Sequence, residues 1–129
     1  MGLAMDKIKL MIVDDSLLIR KKIERIHDRE KYDLIGHATD GRHAIDLFNE
    51  LRPDLITMDL TMPNIDGIEC IDRIIEVDPE VNILVISALS DEATGIRALE
   101  KGASGFLMKP FTEDDLSEAL EIASEEFAS

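Results

Sequence analysis

Leu55-Ile56-Thr57-Met58-Asp59-Leu60-Thr61-Met62-Pro63-Asn64-Ile65-Asp66-Gly67 runs from an apolar, β-prone segment onto a carboxylate, then breaks into a loop with Pro63 and the turn pair Asp66-Gly67. The pattern sets Asp59 at the carboxyl end of a strand. In a parallel sheet flanked by helices, that is the end at which ligands bind. Closing a buried apolar run on an Asp costs desolvation energy unless something charged meets it. Two readings follow: Asp59 is a functional carboxylate, or it only caps the loop.

The same punctuation recurs to either side. Ile8 to Val13 is an apolar run ending on Asp14-Asp15, and Ser16 can cap a following helix with Ile19, Ile23 and Ile26 on one face. Leu17 and Leu18 fall outside that stripe, as a docking surface or as local packing. Tyr32 to Thr39 is a weaker second strand, followed by Asp40-Gly41 and a helix with Ala44, Leu47, Phe48 and Leu51 at helical spacing, stopped by Arg52-Pro53-Asp54. After the opening stretch, a helix from about Gly67 to Val77 turns Ile68, Ile71, Ile74 and Ile75 inward. Asn82 to Ser87 is a continuous apolar strand. Ser90 can cap the next helix, which runs to Lys101 with Gly102 as its stop. Thr94-Gly95 in its middle makes it the least secure of the five, since glycine there costs about 1 kcal/mol against alanine. Ser104 to Met108 is a last strand ending on Lys109-Pro110. Thr112-Glu113-Asp114-Asp115 resembles a capping box for a helix that buries Leu116, Ala119, Leu120, Ala123 and Phe127. Five strand–helix units in strict alternation argue for an α/β fold, a mainly parallel sheet with helices on both faces.

At 129 residues the chain fits one domain with a single substantial core, and 45% apolar with 33% charged residues suits a soluble globular protein. No apolar run is long enough to span a bilayer, and Met1-Gly2-Leu3-Ala4-Met5 has no signal-peptide character. The single cysteine, Cys70, rules out an internal disulfide and suits a reducing, cytoplasmic setting. A net charge of −14, from 28 acids against 14 bases, argues against direct nucleic-acid binding and membrane insertion.

Asp14, Asp15, Asp59, Ser87 and Lys109 all stand at the carboxyl ends of expected strands and so fall along one edge of the sheet. Carboxylates about 5 Å apart repel by roughly 3 kcal/mol per pair at an effective dielectric near 20, so three of them call for a cation. Hard oxygen ligands in a partly hydrated site suit Mg²⁺. Cys70, His27, His37 and His43 show no zinc-ligand spacing. A carboxylate beside such a cation can attack a phosphoryl group, whose oxygens Lys109 and the Ser87 hydroxyl can hold. The constellation describes a phosphoryl-accepting site.

Val13-Asp14-Asp15-Ser16, Met58-Asp59-Leu60-Thr61-Met62-Pro63 with Asp66-Gly67, Ser87-Ala88 and Lys109-Pro110-Phe111 occur in order over about residues 7–125. In this the chain resembles the receiver domain of bacterial two-component response regulators, above all the single-domain chemotaxis type. The resemblance implies a doubly wound, flavodoxin-like five-stranded parallel sheet of order 2-1-3-4-5 with five helices, and a single receiver domain across 1–129. It implies that Asp59 is the phosphoacceptor, that Asp14, Asp15, Asp59 and the Thr61 carbonyl hold Mg²⁺, and that Ser87 and Lys109 bind the phosphoryl group. The Lys109-Pro110 bond is expected cis. Phe106 matches an aromatic switch that turns inward as Ser87 moves, repacking the fourth helix, fifth strand and fifth helix, where partners dock; the soft Thr94-Gly95 helix suits that role. The implied partners are a sensor histidine kinase and a downstream protein target, with a phosphorylation-dependent dimer left open. Thr61 and Leu89, flanking the path of an attacking water, offer no carboxamide or carboxylate to orient it, which implies slow self-dephosphorylation.

Three other readings compete. A haloacid-dehalogenase-type phosphatase would want an Asp where Thr61 stands. A flavin-binding domain would want a glycine- and hydroxyl-rich phosphate loop where Asp14-Asp15 stand, and Walker-type and dinucleotide-type glycine loops are absent. The chain could also be a receiver fragment of a larger regulator carrying an effector domain.

Overall fold

Five parallel strands lie in the order β2-β1-β3-β4-β5, with a helix after each: β1 (Ile8–Val13), α1 (Leu17–Ile26), β2 (Tyr32–Ala38), α2 (Gly41–Leu51), β3 (Leu55–Asp59), α3 (Gly67–Val77), β4 (Asn82–Ala88), α4 (Glu92–Glu100), β5 (Gly105–Lys109) and α5 (Glu113–Ala123). This is the doubly wound sheet the alternation and the resemblance imply. The computed structural model describes residues 7–26, 29–60, 67–88 and 92–124. His27, Thr61, Met62, Pro63, Asp66, Leu89, Ser90 and Phe127, all singled out in the sequence, lie outside them.

Side chains alternate across the central strands and feed two apolar layers. Met11, Val13, Ile56, Met58, Ile83 and Val85 point to one face, under Phe48 of α2, Ile71 and Ile74 of α3 and Ala98 of α4. Leu10, Ile12, Leu55, Leu84 and Ile86 point to the other, under Ile23 of α1 and Leu116 and Leu120 of α5. Of the residues the periodicities name, Ala44 and Phe48 of α2, Ile68, Ile71 and Ile74 of α3, and Leu116, Leu120 and Ala123 of α5 are buried, while Leu47, Leu51, Ile75 and Ala119 are partly buried at the margins. In α1 only Ile23 is fully buried; Ile19 and Ile26 pack at the margin, while Leu17 and Leu18 are 57% and 82% exposed. Leu18 in particular is left mostly open to solvent.

Local chemistry sets the ends of the elements. The Asp40 side chain caps α2 by accepting from the His43 N–H at 2.9 Å. Arg52 ends it in the left-handed region, φ 49°, before Pro53. Thr112 and Asp115 form a complete capping box on α5: Thr112 Oγ1 accepts from Asp115 N–H, and the Asp115 carboxylate accepts from Thr112 N–H, both at 3.0 Å. Gly102 terminates α4 at φ 115°. The weak second strand is an edge strand, and its register slips between Leu10 and Met11, where Leu34 and Gly36 are the successive partners.

Candidate functional site

β1 pairs with β2 on one side and β3 on the other, so the chain reverses direction across the sheet between β1 and β3. Beyond the carboxyl ends of those strands opens the crevice in which doubly wound sheets bind ligands. Asp14 leaves β1, its N–H held by the Ala38 carbonyl at 3.0 Å. Asp59 is the last residue of β3, and Leu60 next to it donates to the Ile86 carbonyl at 3.3 Å, which locks the end of β3 to β4. Gly67 lets α3 start close by: a Cβ there would lie 2.7 Å from the Leu60 Cα.

Asp14, Asp15 and Asp59 each bring a carboxylate oxygen within 4.8 Å of the others. Asp14 and Asp59 are buried, at 1% and 2% exposed, whereas Asp15 is open to solvent. Lys109, at the end of β5, places Nζ 3.9 Å from Oδ2 of both Asp14 and Asp59. Among the described residues one ammonium faces three carboxylates, which repel one another by about 3 kcal/mol per pair. Burial pushes the Asp14 carboxyl up to about 6 from its ordinary 3.8; the Ser16 N–H bonded to it opposes this, Asp59 adds to the rise, Lys109 opposes it, and Asp15 adds again.

A divalent cation fits this donor set. Asp14 gives one oxygen to the Ser16 N–H at 2.8 Å, but its other oxygen, Oδ2, is buried with no hydrogen-bond partner. That oxygen lies 3.9 Å from Lys109 Nζ, and a single ammonium shared with Asp59 leaves a donor set that a hard cation suits. The donors are all oxygen, which suits Mg²⁺ and not zinc. His37 and His43 are exposed and Cys70 is buried within α3, and among the described residues none of them joins the cluster.

Ser87 stands on β4 fully buried, its Oγ also without a hydrogen-bond partner. The Lys109–Pro110 peptide bond is cis, as the resemblance implies. The structure thus gathers Asp14, Asp15, Asp59 and Lys109 round one crevice, and sets Ser87 on the strand that pairs with both β3 and β5. Thr61 lies outside the described residues.

Sequence reasoning missed two residues here. Lys22 of α1 donates from Nζ to the Phe111 carbonyl at 2.8 Å and sits 4.6 Å above the Phe111 ring, which braces the junction that carries Lys109. Lys22 lies off the apolar stripe of α1, where sequence alone offers no more than a surface cation. Helix propensity marks Gly95 only as a weak point of α4, whereas the structure adds that the ring of Phe106 fills the space beside its α carbon. The signal was a glycine inside a helix one turn from its end, opposite a strand with one aromatic residue.

The model of the response regulator receiver domain matches residues 10–121. Among curated relatives, the chemotaxis protein CheY of Thermotoga maritima is 40% identical over 116 residues, covering 90% of this chain and 97% of that protein. Among solved structures, the response regulator domain of Thermotoga maritima CheB superposes with a TM-score of 0.84 at 34% identity, covering 96% of this chain and 98% of that one. A CheY from Borrelia burgdorferi, in a complex described as CheX-CheY-BeF₃-Mg²⁺, matches with a TM-score of 0.82 at 33% identity, covering 88% of this chain and 87% of that one.

Proposed function

The chain belongs to the response regulator receiver domain family of two-component systems, and from that premise we propose that it accepts a phosphoryl group from a sensor histidine kinase on Asp59. The reading extends to a Mg²⁺-dependent reaction and to output through the face formed by α4, β5 and α5 toward a protein target. The observation that carries it is the meeting of Asp14, Asp15 and Asp59 within 4.8 Å, with Lys109 Nζ equidistant from Asp14 and Asp59. The BeF₃ and Mg²⁺ in the complex of the Borrelia burgdorferi relative support the same reading.

Each residue's part follows from its chemistry. An Asp59 oxygen attacks phosphorus in line with the phosphoimidazole nitrogen of the donor. The new P–O bond forms as the P–N bond breaks, and the imidazole leaves with its electron pair and takes a proton from water. Asp59 is a competent nucleophile because it is held at a strand end beside an ammonium and away from bulk water. Lys109, fixed by β5 and the junction that Lys22 braces, meets the phosphoryl oxygens as a charge-assisted donor. The Ser87 hydroxyl, buried without a partner, is a second donor for them. Asp14, Asp15, Asp59 and the Thr61 carbonyl would hold Mg²⁺. Bound there, the ion supplies positive charge for the phosphoryl oxygens and relieves the repulsion among the acids. Phe106 then reads the position of Ser87 for the docking face. No helix among the described residues is long and apolar enough to cross a membrane.

The test is to incubate the purified chain with acetyl phosphate and Mg²⁺ and weigh it intact. One added phosphoryl mass is expected, lost with EDTA, lost in Asp59→Asn and strongly reduced in Lys109→Ala. Full labelling of Asp59→Asn would overturn the reading.

A further inference from the structure

Gly95 stands in the interior of α4, where alanine is the favoured small residue. A Cβ built on it would lie 1.8 Å from Cε2 of Phe106, 2.4 Å from Cζ and 2.5 Å from Cδ2. Carbon atoms pack at about 3.5–4.0 Å, so the ring occupies the volume that any other residue at this position would claim. The ring packs on the apolar layer under α2, α3 and α4. Phe106 pairs with Val85, and Ser87 lies two residues beyond Val85. Alternation along a strand therefore puts Phe106, Val85 and Ser87 on one face of the sheet. The ring thus lies between the bare α carbon of Gly95 and the strand that carries the phosphate-binding hydroxyl.

We infer that Gly95 is a positioning residue for the switch: its missing side chain is the seat that admits the Phe106 ring, and the occupant of position 95 sets how readily the ring turns inward when Ser87 engages a phosphoryl group. This rests on the roles proposed for Ser87 and Phe106. A Cβ at Gly95 has two outcomes, since the ring is the far end of a side chain with free torsions. Either the ring swings out past the open edge of β5, or α4 lifts from the sheet. Both change the α4, β5 and α5 face, where Ile96, Leu99 and Ile122 are exposed. The same glycine that weakens the helix makes room for its moving part.

The test uses the full chain labelled with 4-fluorophenylalanine. Its four phenylalanines give four fluorine lines, and the Phe106 line is the one lost in Phe106→Ala. In the unsubstituted chain that line is expected to show the small isotope shift of a partly buried ring. In Gly95→Ala it moves and gains the isotope shift of an exposed ring. Thermal melting supplies a second readout. An ordinary helix glycine gains stability on conversion to alanine, whereas Gly95→Ala is expected to lower the melting temperature; in a Phe106→Ala background the same change raises it. Beryllofluoride titration with Mg²⁺ supplies the third, with half-saturation about tenfold higher in Gly95→Ala. A Phe106 line unmoved by Gly95→Ala, together with a raised melting temperature, overturns the seat. A normal titration of Gly95→Ala overturns its link to the switch. An unsubstituted chain that binds no beryllofluoride overturns the phosphoacceptor reading, and the switch role with it, while the fluorine line still reports on the seat.

Discussion

With its carboxyl pushed up to about 6 from 3.8, Asp14 holds a proton in the folded chain that the unfolded chain has already released between those values. Stability contributed by this group therefore falls as pH rises through that window, and the whole penalty is present above about pH 6. A shift of that size corresponds to roughly 3 kcal/mol. Asp14→Asn keeps an oxygen for the Ser16 N–H and removes the charge. In EDTA the variant is expected to be more stable than the parent by about 1–3 kcal/mol near pH 7.5, with the gain gone below about pH 4. Urea unfolding at the two pH values measures it, and a gain of equal size at both would show that the cost is not electrostatic. Thr61 and Leu89 carry the second prediction at this scale, argued from their side chains alone. Neither a hydroxyl nor an isobutyl group orients a water for attack as a carboxamide or carboxylate does. Phosphoryl loss is thus expected to be slow, and Thr61→Asn with Leu89→Glu to shorten the lifetime by about tenfold or more, followed as decay of the phosphorylated mass. An unchanged lifetime would remove both residues from the argument.

Among the elements, α1 and the junction between β5 and α5 depend on each other through a single cation. Lys22 donates to the Phe111 carbonyl and covers the Phe111 ring. Replacing it with Met keeps the aliphatic stem and loses both contacts. The expected cost is about 1–2 kcal/mol in the urea midpoint, with slower labelling by acetyl phosphate because Lys109 sits in the loosened junction. A stable variant with unchanged labelling would show that α5, through its capping box, holds the junction alone. Most helices were legible from apolar spacing and caps, because those signals are local: Asp40, Thr112 and Gly102 act within a turn of where they stand. The role of Lys22 was not, since its partner is 89 residues away. The second role of Gly95 was not legible for a related reason. Helix propensity reports only on the chain near a residue, and the cause of this glycine is a ring on another strand.

At the scale of the molecule, the order of the strands follows from alternation and right-handed crossovers, and it is this order that brings Asp14 to Asp59. The acids were legible as candidates because each ends an apolar run. Their mutual distance, and the Asp14 oxygen left without a hydrogen bond, needed the fold. The same fold concentrates charge: a chain of net charge −14 places three carboxylates in one crevice with one ammonium. Two electrostatic effects follow, and they separate by experiment. General self-repulsion is screened by any salt, so NaCl is expected to raise the melting temperature smoothly. The crevice responds to a bound divalent ion, whose stabilisation grows as the logarithm of its concentration above the dissociation constant. MgCl₂ at matched ionic strength should therefore raise the melting temperature beyond the NaCl curve. The excess should shrink in Asp14→Asn and in Asp59→Asn, and persist in a control such as Glu76→Gln, an exposed acid on α3 outside the cluster. Equal curves for the two salts in the parent chain would mean that the acids are only part of the general charge and hold no ion.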